Sequence, residues 1–472
     1  MNQQMAGLPV VVIGAGPVGL ATAAHLLENG LTPLVLEAGG QVGAAVTAWG
    51  HTRVFSPWQY NIDAAARRLL EPTGWVSPRP TALPTGAELV AEYLKPLAAQ
   101  LGELVHTGVK VTAVTRDGLD KTRTDGRDST PFMVRTITAD GTIEDVRARA
   151  VIDASGTWDT PNPLGAGGLP APGEEIARAQ GFITAPLPDV TGRGRASFAN
   201  KHTVVVGSGH SAANTLIALG ELVKDAPDTK ISWIVRNASA TNLYGGQDKD
   251  GLPARGMLGT RLRKLVDTGI VELHQGFTIT SFTPGTHQVN VVGRTAEGET
   301  VLEADLVVPA AGFRPDLTIL SEVRLDLDPA VEAPTRLGPL IDPEHHSCGT
   351  VPAHGATVLA HPEKDFYLVG MKSYGRAPTF LMATGYEQVR SIAAALAGND
   401  EAANQVELNL PETGVCSADT DTSCDTPIMS GEKPTGEGVQ AAGSSCCAAA
   451  PEPVLIGIST GLAHGRAGHE HN

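Results

Sequence analysis

Two short glycine runs carry the clearest chemistry in the chain. Gly14-Ala15-Gly16-Pro17-Val18-Gly19 follows the β-branched run Val10-Val11-Val12-Ile13 and precedes residues 20–29, where Leu20, Ala23, Ala24 and Leu27 recur at helical spacing. Strand, Gly-x-Gly-x-x-Gly turn and helix in that order make a dinucleotide cradle. Gly14 permits the tight turn, Gly16 lets a pyrophosphate approach the backbone, Gly19 lets helix and strand pack closely, and the first helical turn presents amide donors. Glu37 closes the next strand, Pro33-Leu34-Val35-Leu36-Glu37, where a carboxylate accepts from ribose hydroxyls. The second run, Gly207-Ser208-Gly209-His210-Ser211-Ala212, follows Thr203-Val204-Val205-Val206 and opens the helical stretch 213–223, with alanine in place of the third glycine. Arg236 ends the following strand, where an acid would favour an unphosphorylated ribose. A guanidinium there pairs with a 2′-phosphate and selects NADPH. The simplest use of two cradles in one chain is FAD on the first and NADPH on the second. Hydride then passes from nicotinamide to flavin where the two rings stack.

The elements that must position these cradles read from the rest of the chain. Its 472 residues suggest about three domain-sized units of ~150 residues. A hydrophobic fraction of 42% supports a real core, and 54 Gly with 33 Pro imply many tight turns between short elements. A net charge of −16 argues against nucleic acid as a partner, because phosphate binding needs Lys/Arg patches. No apolar run is long enough to span a membrane, and residues 1–9 lack a basic, then apolar, leader, so a cytoplasmic protein is expected. Thr85-Gly86-Ala87-Glu88 is a capping box ahead of a helix over 89–101 that Pro96 kinks. Residues 109–115 and 132–138 alternate as solvent-faced strands joined by an exposed loop over 116–130. Residues 150–154, 306–310 and 366–369 read as further strands, and 386–397 as a final helix. The predicted class is α/β with two Rossmann-like dinucleotide-binding domains. An FAD domain (1–195 and 316–408) holds an inserted NADPH domain (196–315), and a disordered, acidic, cysteine-bearing tail covers 409–472.

Further motifs extend the pattern in a fixed order. Glu37-Ala38-Gly39-Gly40-Gln41-Val42-Gly43 prolongs the first cradle. Ala154-Ser155-Gly156-Thr157-Trp158, then Pro161, and Ala310-Ala311-Gly312-Phe313-Arg314-Pro315-Asp316 lie at the two strand ends where the chain leaves one nucleotide domain for the other. On these residues the chain resembles the two-dinucleotide-binding flavoproteins, the flavin-containing monooxygenases in particular, over about 8–400. The resemblance implies an oxidoreductase and adds Gly39, Gly43, Ala154, Gly156 and Gly312 to the cofactor-binding set of Gly14, Gly16, Gly19, Glu37, Gly207, Gly209, Ser211, Ala212 and Arg236. In related monooxygenases an Asn after the first βαβ unit supports the oxygenated flavin. This makes Asn61, within Arg53-Val54-Phe55-Ser56-Pro57-Trp58-Gln59-Tyr60-Asn61, the candidate catalytic residue. A turn-capping Asn is the alternative.

Three departures bear on the chemistry. The monooxygenase motif Phe-x-Gly-x-x-x-His-x-x-x-aromatic is absent before the second cradle, where Phe182-Ile183-Thr184-Ala185-Pro186-Leu187 supplies only the Phe. No cysteine precedes Cys348 and no Cys-x-x-Cys occurs, against a disulfide relay. The Gly-Asp of related reductases is replaced by Gly370-Met371. The segment 371–388 with the cysteine-bearing tail is similar to flavoproteins encoded beside arsenic-resistance genes in actinobacteria. That likeness implies a link to arsenic or another thiophilic ion. Residues 411–472 hold eight Asp/Glu against two Lys/Arg, together with Cys416, Cys424, Cys446 and Cys447. Vicinal thiolates suit a soft ion better than they suit a mutual disulfide, so these four form a candidate site for arsenite or its like. Three functions follow: an FAD- and NADPH-dependent monooxygenase using oxygen and a small substrate, a metalloid or quinone reductase, or a non-enzymatic ion-binding flavoprotein. A homodimer is compatible with each.

Overall fold

The computed structural model describes residue 5 and residues 7–238, 243–244, 252–342, 351–377 and 380–408, all within the compact unit Met1–Thr420. Its strands, in chain order, are β1 (Val10–Ile13), β2 (Pro33–Glu37), β3 (Val105–Thr107), β4 (Val109–Arg116), β5 (Phe132–Thr138), β6 (Ile143–Ala148), β7 (Ala150–Asp153), β8 (His202–Val206), β9 (Lys230–Ile234), β10 (Glu272–His274), β11 (Thr278–Pro284), β12 (Val289–Thr295), β13 (Gly298–Ala304), β14 (Leu306–Pro309) and β15 (Phe366–Leu368). Two parallel sheets carry the architecture, ordered β15-β7-β1-β2-β3 and β10-β9-β8-β14. The central strands are buried on both faces, which is why Val10–Ile13 and Thr203–Val206 read as unbroken apolar runs. Each parallel sheet is accompanied by an antiparallel three-stranded one, β4-β5-β6 and β11-β12-β13.

Local sequence explains the helices that flank the cradles. Helix Pro17–Glu28 starts on Pro17, which has no N–H to leave unpaired in the first turn. Its Val18-to-Leu26 face packs against helix Met382–Leu396 in the main apolar core. The capping box forms: Glu88 N donates to Thr85 Oγ1 (3.2 Å) and Thr85 N to Glu88 Oε2 (2.6 Å). The kink expected from Pro96 is realised as a π-helical turn, Leu89–Leu94, which absorbs the bond that proline cannot make.

One expectation needs correction. The loop over 116–130 is not wholly exposed. Arg116 and Arg127 are buried and share the buried carboxylate of Glu363, with Arg116 Nε 2.7 Å from Oε1 and Arg127 Nη2 2.8 Å from Oε2. The Arg116 guanidinium also lies 3.6 Å from the Phe132 ring centroid. A buried cation is tolerated only when paired, and here the partner comes from a segment the loop's own sequence does not reveal. Residues 164–183 contribute apolar side chains to the core of the second sheet. Leu164, Ala171, Ala177 and Ile183 join the core formed by Val204, Val206, Phe277, Ile279 and Phe282, and Phe282 N donates to Pro172 O. Among the described residues no helix is long and apolar enough to cross a membrane.

Candidate functional site

The first cradle is built at the carboxyl ends of β1 and β7. Gly14 has φ +98°, and a Cβ there would stand 2.9 Å from Ala154 O. At Gly19 it would stand 1.9 Å from Gly14 O. Both positions exclude a side chain. Gly16 differs: its φ of −79° suits any residue, and a Cβ would meet nothing within 4 Å. Glycine at 16 therefore keeps a volume clear in front of the first helical turn. Glu37 holds the loop in shape, its carboxylate accepting from Ala15 N (2.7 Å) and Gly39 N (2.8 Å). Gly43, at φ +64°, donates to Ala15 O (2.9 Å), and a Cβ at Gly39 would fall 2.4 Å from Ala44 Cβ. Ala154 N bonds Ile13 O, and Gly156 turns at φ +71° with open space beside it.

The second cradle repeats this plan at β8 and β14. Gly207 has φ +125°, with a Cβ position 2.1 Å from Ala310 O, while Gly209 again faces open space at φ −85°. Ala212, in the place of the third glycine, is fully buried in the helix His210–Leu222. Ser211 is the second residue of that helix and half-buried. Arg236 lies exposed beyond β9, its guanidinium without an ion-pair or hydrogen-bond partner among the described residues. Gly312, at φ +84°, has its Cβ position 3.3 Å from Asn162 Nδ2. An open volume in front of the first helical turn, at Gly16 and again at Gly209, fits a dinucleotide's pyrophosphate, so both cradles suit the cofactors that the motifs imply.

Asn61 lies at the end of the turn that follows Ser56. It is buried, and its amide is used up in its own turn: Nδ2 donates to Ser56 O (2.7 Å) and Pro57 O (3.1 Å), and Oδ1 accepts from Ser56 Oγ (2.8 Å). Both amide hydrogens are used within the turn, which is the turn-capping arrangement. Cys416, Cys424, Cys446 and Cys447 lie outside the described residues, as does Cys348. Among the described residues no cluster of three or more His, Cys, Asp or Glu could hold a metal.

Several residues beside the first cradle were not anticipated. Asp153, at the end of β7, is buried against the Lys372 ammonium (2.7 Å), which also donates to Ser155 Oγ (3.0 Å). The Gln388 amide accepts from Gly370 N (2.8 Å) and reaches Ser373 Oγ and His354 Nε2, and burial lowers the His354 pKa. Trp233 Nε1 donates to Gly207 O (2.7 Å) beneath the second cradle. The only sequence signal for the first pair was an acid closing an apolar strand.

Comparison with known proteins agrees with this build. The model of the pyridine nucleotide-disulphide oxidoreductase family matches residues 11–336, and the chain belongs to that family. Among solved structures it is similar to bacillithiol disulfide reductase from Bacillus cereus (20% identity, TM-score 0.62, 83% of this chain and 99% of that one). It is also similar to the ornithine N-hydroxylase of Kutzneria sp. 744 (14%, 0.54, 84% and 99%) and to a flavin monooxygenase from Stenotrophomonas maltophilia (20%, 0.51, 83% and 98%). No curated protein matches the sequence. Family and fold together make the chain an oxidoreductase of the FAD- and NADP(H)-using class.

Proposed function

We propose that the chain is a monooxygenase-like, NADPH-dependent flavoenzyme that serves detoxification of arsenic or another thiophilic ion. Gly14, Gly16, Gly19, Glu37, Gly39, Gly43, Ala154 and Gly156 hold FAD. Gly207, Gly209, Ser211, Ala212 and Arg236 hold NADPH, and Gly312 supports the return segment between the two. Bound together, these cofactors supply hydride transfer from nicotinamide to flavin and electrons for oxygen or a small substrate. The observation that carries this reading is the pair of open cradles of one design in a chain with no cysteine before residue 348. Such a chain has no thiol relay within its first 347 residues, so electrons go directly to a diffusible acceptor. The tail thiols Cys416, Cys424, Cys446 and Cys447 then serve to capture a soft ion.

The test is the flavin spectrum of the purified protein and its NADPH oxidation with and without oxygen and arsenite. Oxygen-dependent NADPH consumption with an oxygenated product supports the reading; a protein that binds no flavin overturns it. A second reading, a metalloid or quinone reductase, is favoured by the absent monooxygenase motif at 182–187. It requires acceptor-dependent NADPH oxidation without oxygen. For the tail, mass spectrometry with arsenite should show an adduct that Cys446→Ser/Cys447→Ser removes. No adduct, or one unaffected by the substitutions, refutes ion capture there.

A further inference from the structure

We infer that the two nucleotide-binding sheets are held in one fixed relative orientation by a stapled double crossing, in which Trp158, Phe313 and Arg314 are positioning residues for hydride transfer. The inference rests on the proposed pairing of FAD and NADPH.

The chain passes between the sheets twice, after β7 and after β14, and each passage begins at the wall of a cradle, Ala154 or Ala310. The two passages run side by side. Pro161 and Phe313 form an antiparallel bridge, Asn162 N donates to Gly312 O (2.9 Å) and Arg314 N to Thr160 O (3.0 Å). Side chains then close the ladder. Asn162 Nδ2 donates to Ala311 O (3.1 Å), and Arg314 donates from Nε to Asn162 Oδ1 (3.0 Å) and from Nη2 to Gly168 O (3.3 Å). Trp158 stacks on Phe313 with centroids 5.1 Å apart and planes at 29°. At φ +84° Gly312 occupies the left-handed region that favours glycine, and its Cβ position lies 3.3 Å from Asn162 Nδ2.

A second tie lies at the mouth of the NADPH cradle. Phe55, from the first sheet's side, packs against His210, the first residue of the cradle helix, at 4.9 Å, with Arg255 5.7 Å from the Phe55 ring. Two single strands would swivel freely about their φ and ψ angles. A hydrogen-bonded, stacked and bracketed pair, tied again at Phe55, does not. Fixed orientation suits this chain's chemistry. With no cysteine before residue 348, no redox pair has to alternate with nicotinamide at the flavin. Hydride transfer also rewards close alignment, since an ångström of misplacement costs about 100-fold in rate.

The test uses the full chain with FAD bound. Hydrogen exchange should show the Asn162 and Arg314 amides as protected as those of β1 and β8. In Trp158→Ala/Arg314→Ala those amides should exchange freely, and anaerobic flavin reduction at saturating NADPH should slow about tenfold or more. FAD content and NADPH Kd should stay within about twofold, and Trp158→Phe should keep the wild-type rate. Rapid exchange of both amides in the wild type, or an unchanged reduction rate in the double variant, overturns the inference. If the double variant does not fold, the wild-type exchange pattern decides. If NADPH fails to reduce the wild-type flavin, the cofactor reading fails instead, and exchange still reports on the staple.

Discussion

Gly209→Ala separates a glycine kept for a ligand from one kept for the fold. At φ −85° and ψ −175° alanine adopts the native backbone, and the new methyl meets no atom within 4 Å. Reduced freedom of the unfolded chain stabilises by ~0.4–1 kcal/mol, and the poorer helix cap costs a similar amount, so folding stability should stay within about 1 kcal/mol. The methyl nevertheless occupies the space a pyrophosphate needs at the first-turn amides. Overfilling a fitted site costs about 1–3 kcal/mol, which weakens NADPH binding about 5- to 150-fold. Gly207→Ala is the contrast. Its Cβ would lie 2.1 Å from Ala310 O at φ +125°, so it should lower the urea midpoint sharply. Urea unfolding of the nucleotide-free protein and calorimetric titration with NADPH measure the two effects. If Gly209→Ala binds NADPH within about twofold of wild type, the pyrophosphate does not sit over Gly209.

Three further outcomes follow. Lys372→Met strands the buried Asp153 carboxylate and should cost about 3–5 kcal/mol in urea unfolding, while Asp153→Asn/Lys372→Met should recover most of it. Arg236→Ala should weaken NADPH about tenfold and leave NADH unchanged in paired titrations; equal loss for both would show that Arg236 does not read the 2′-phosphate. Burial pushes His361 from its ordinary 6.5 down to about 4, so the folded protein holds fewer protons there than the unfolded chain between those values. Its contribution is complete above pH 6.5 and fades as pH falls toward 4, a loss of about 3 kcal/mol. Stability measured against pH should flatten across that window in His361→Gln.

What the sequence revealed follows from range. The cradles were legible because strand, turn and helix are contiguous, and because burial on both faces leaves β1, β7, β8 and β14 as apolar runs. Strand β6 was missed because its pattern is mostly exposed, with Glu144, Asp145 and Arg147 facing water. Lys372 with Asp153, and Arg116 with Glu363, escaped because the partners lie 219 and 247 positions apart. Read locally, each of these charges looks like a surface residue. The bonds between Asn61 and Ser56, five residues apart, are of the short range that a local reading of a turn-capping Asn covers.

The bond from Trp233 to Gly207 gives the molecule a built-in optical reporter. The indole is fully buried and hydrogen-bonded to the first glycine of the second cradle. Its emission overlaps the absorption of reduced nicotinamide, so occupancy of that cradle should quench it. The chain's other tryptophans, Trp49, Trp58, Trp75 and Trp158, lie in the other nucleotide domain or the crossing. Trp233→Phe would therefore isolate the NADPH signal by subtraction, so loading of the second site could be followed without labels.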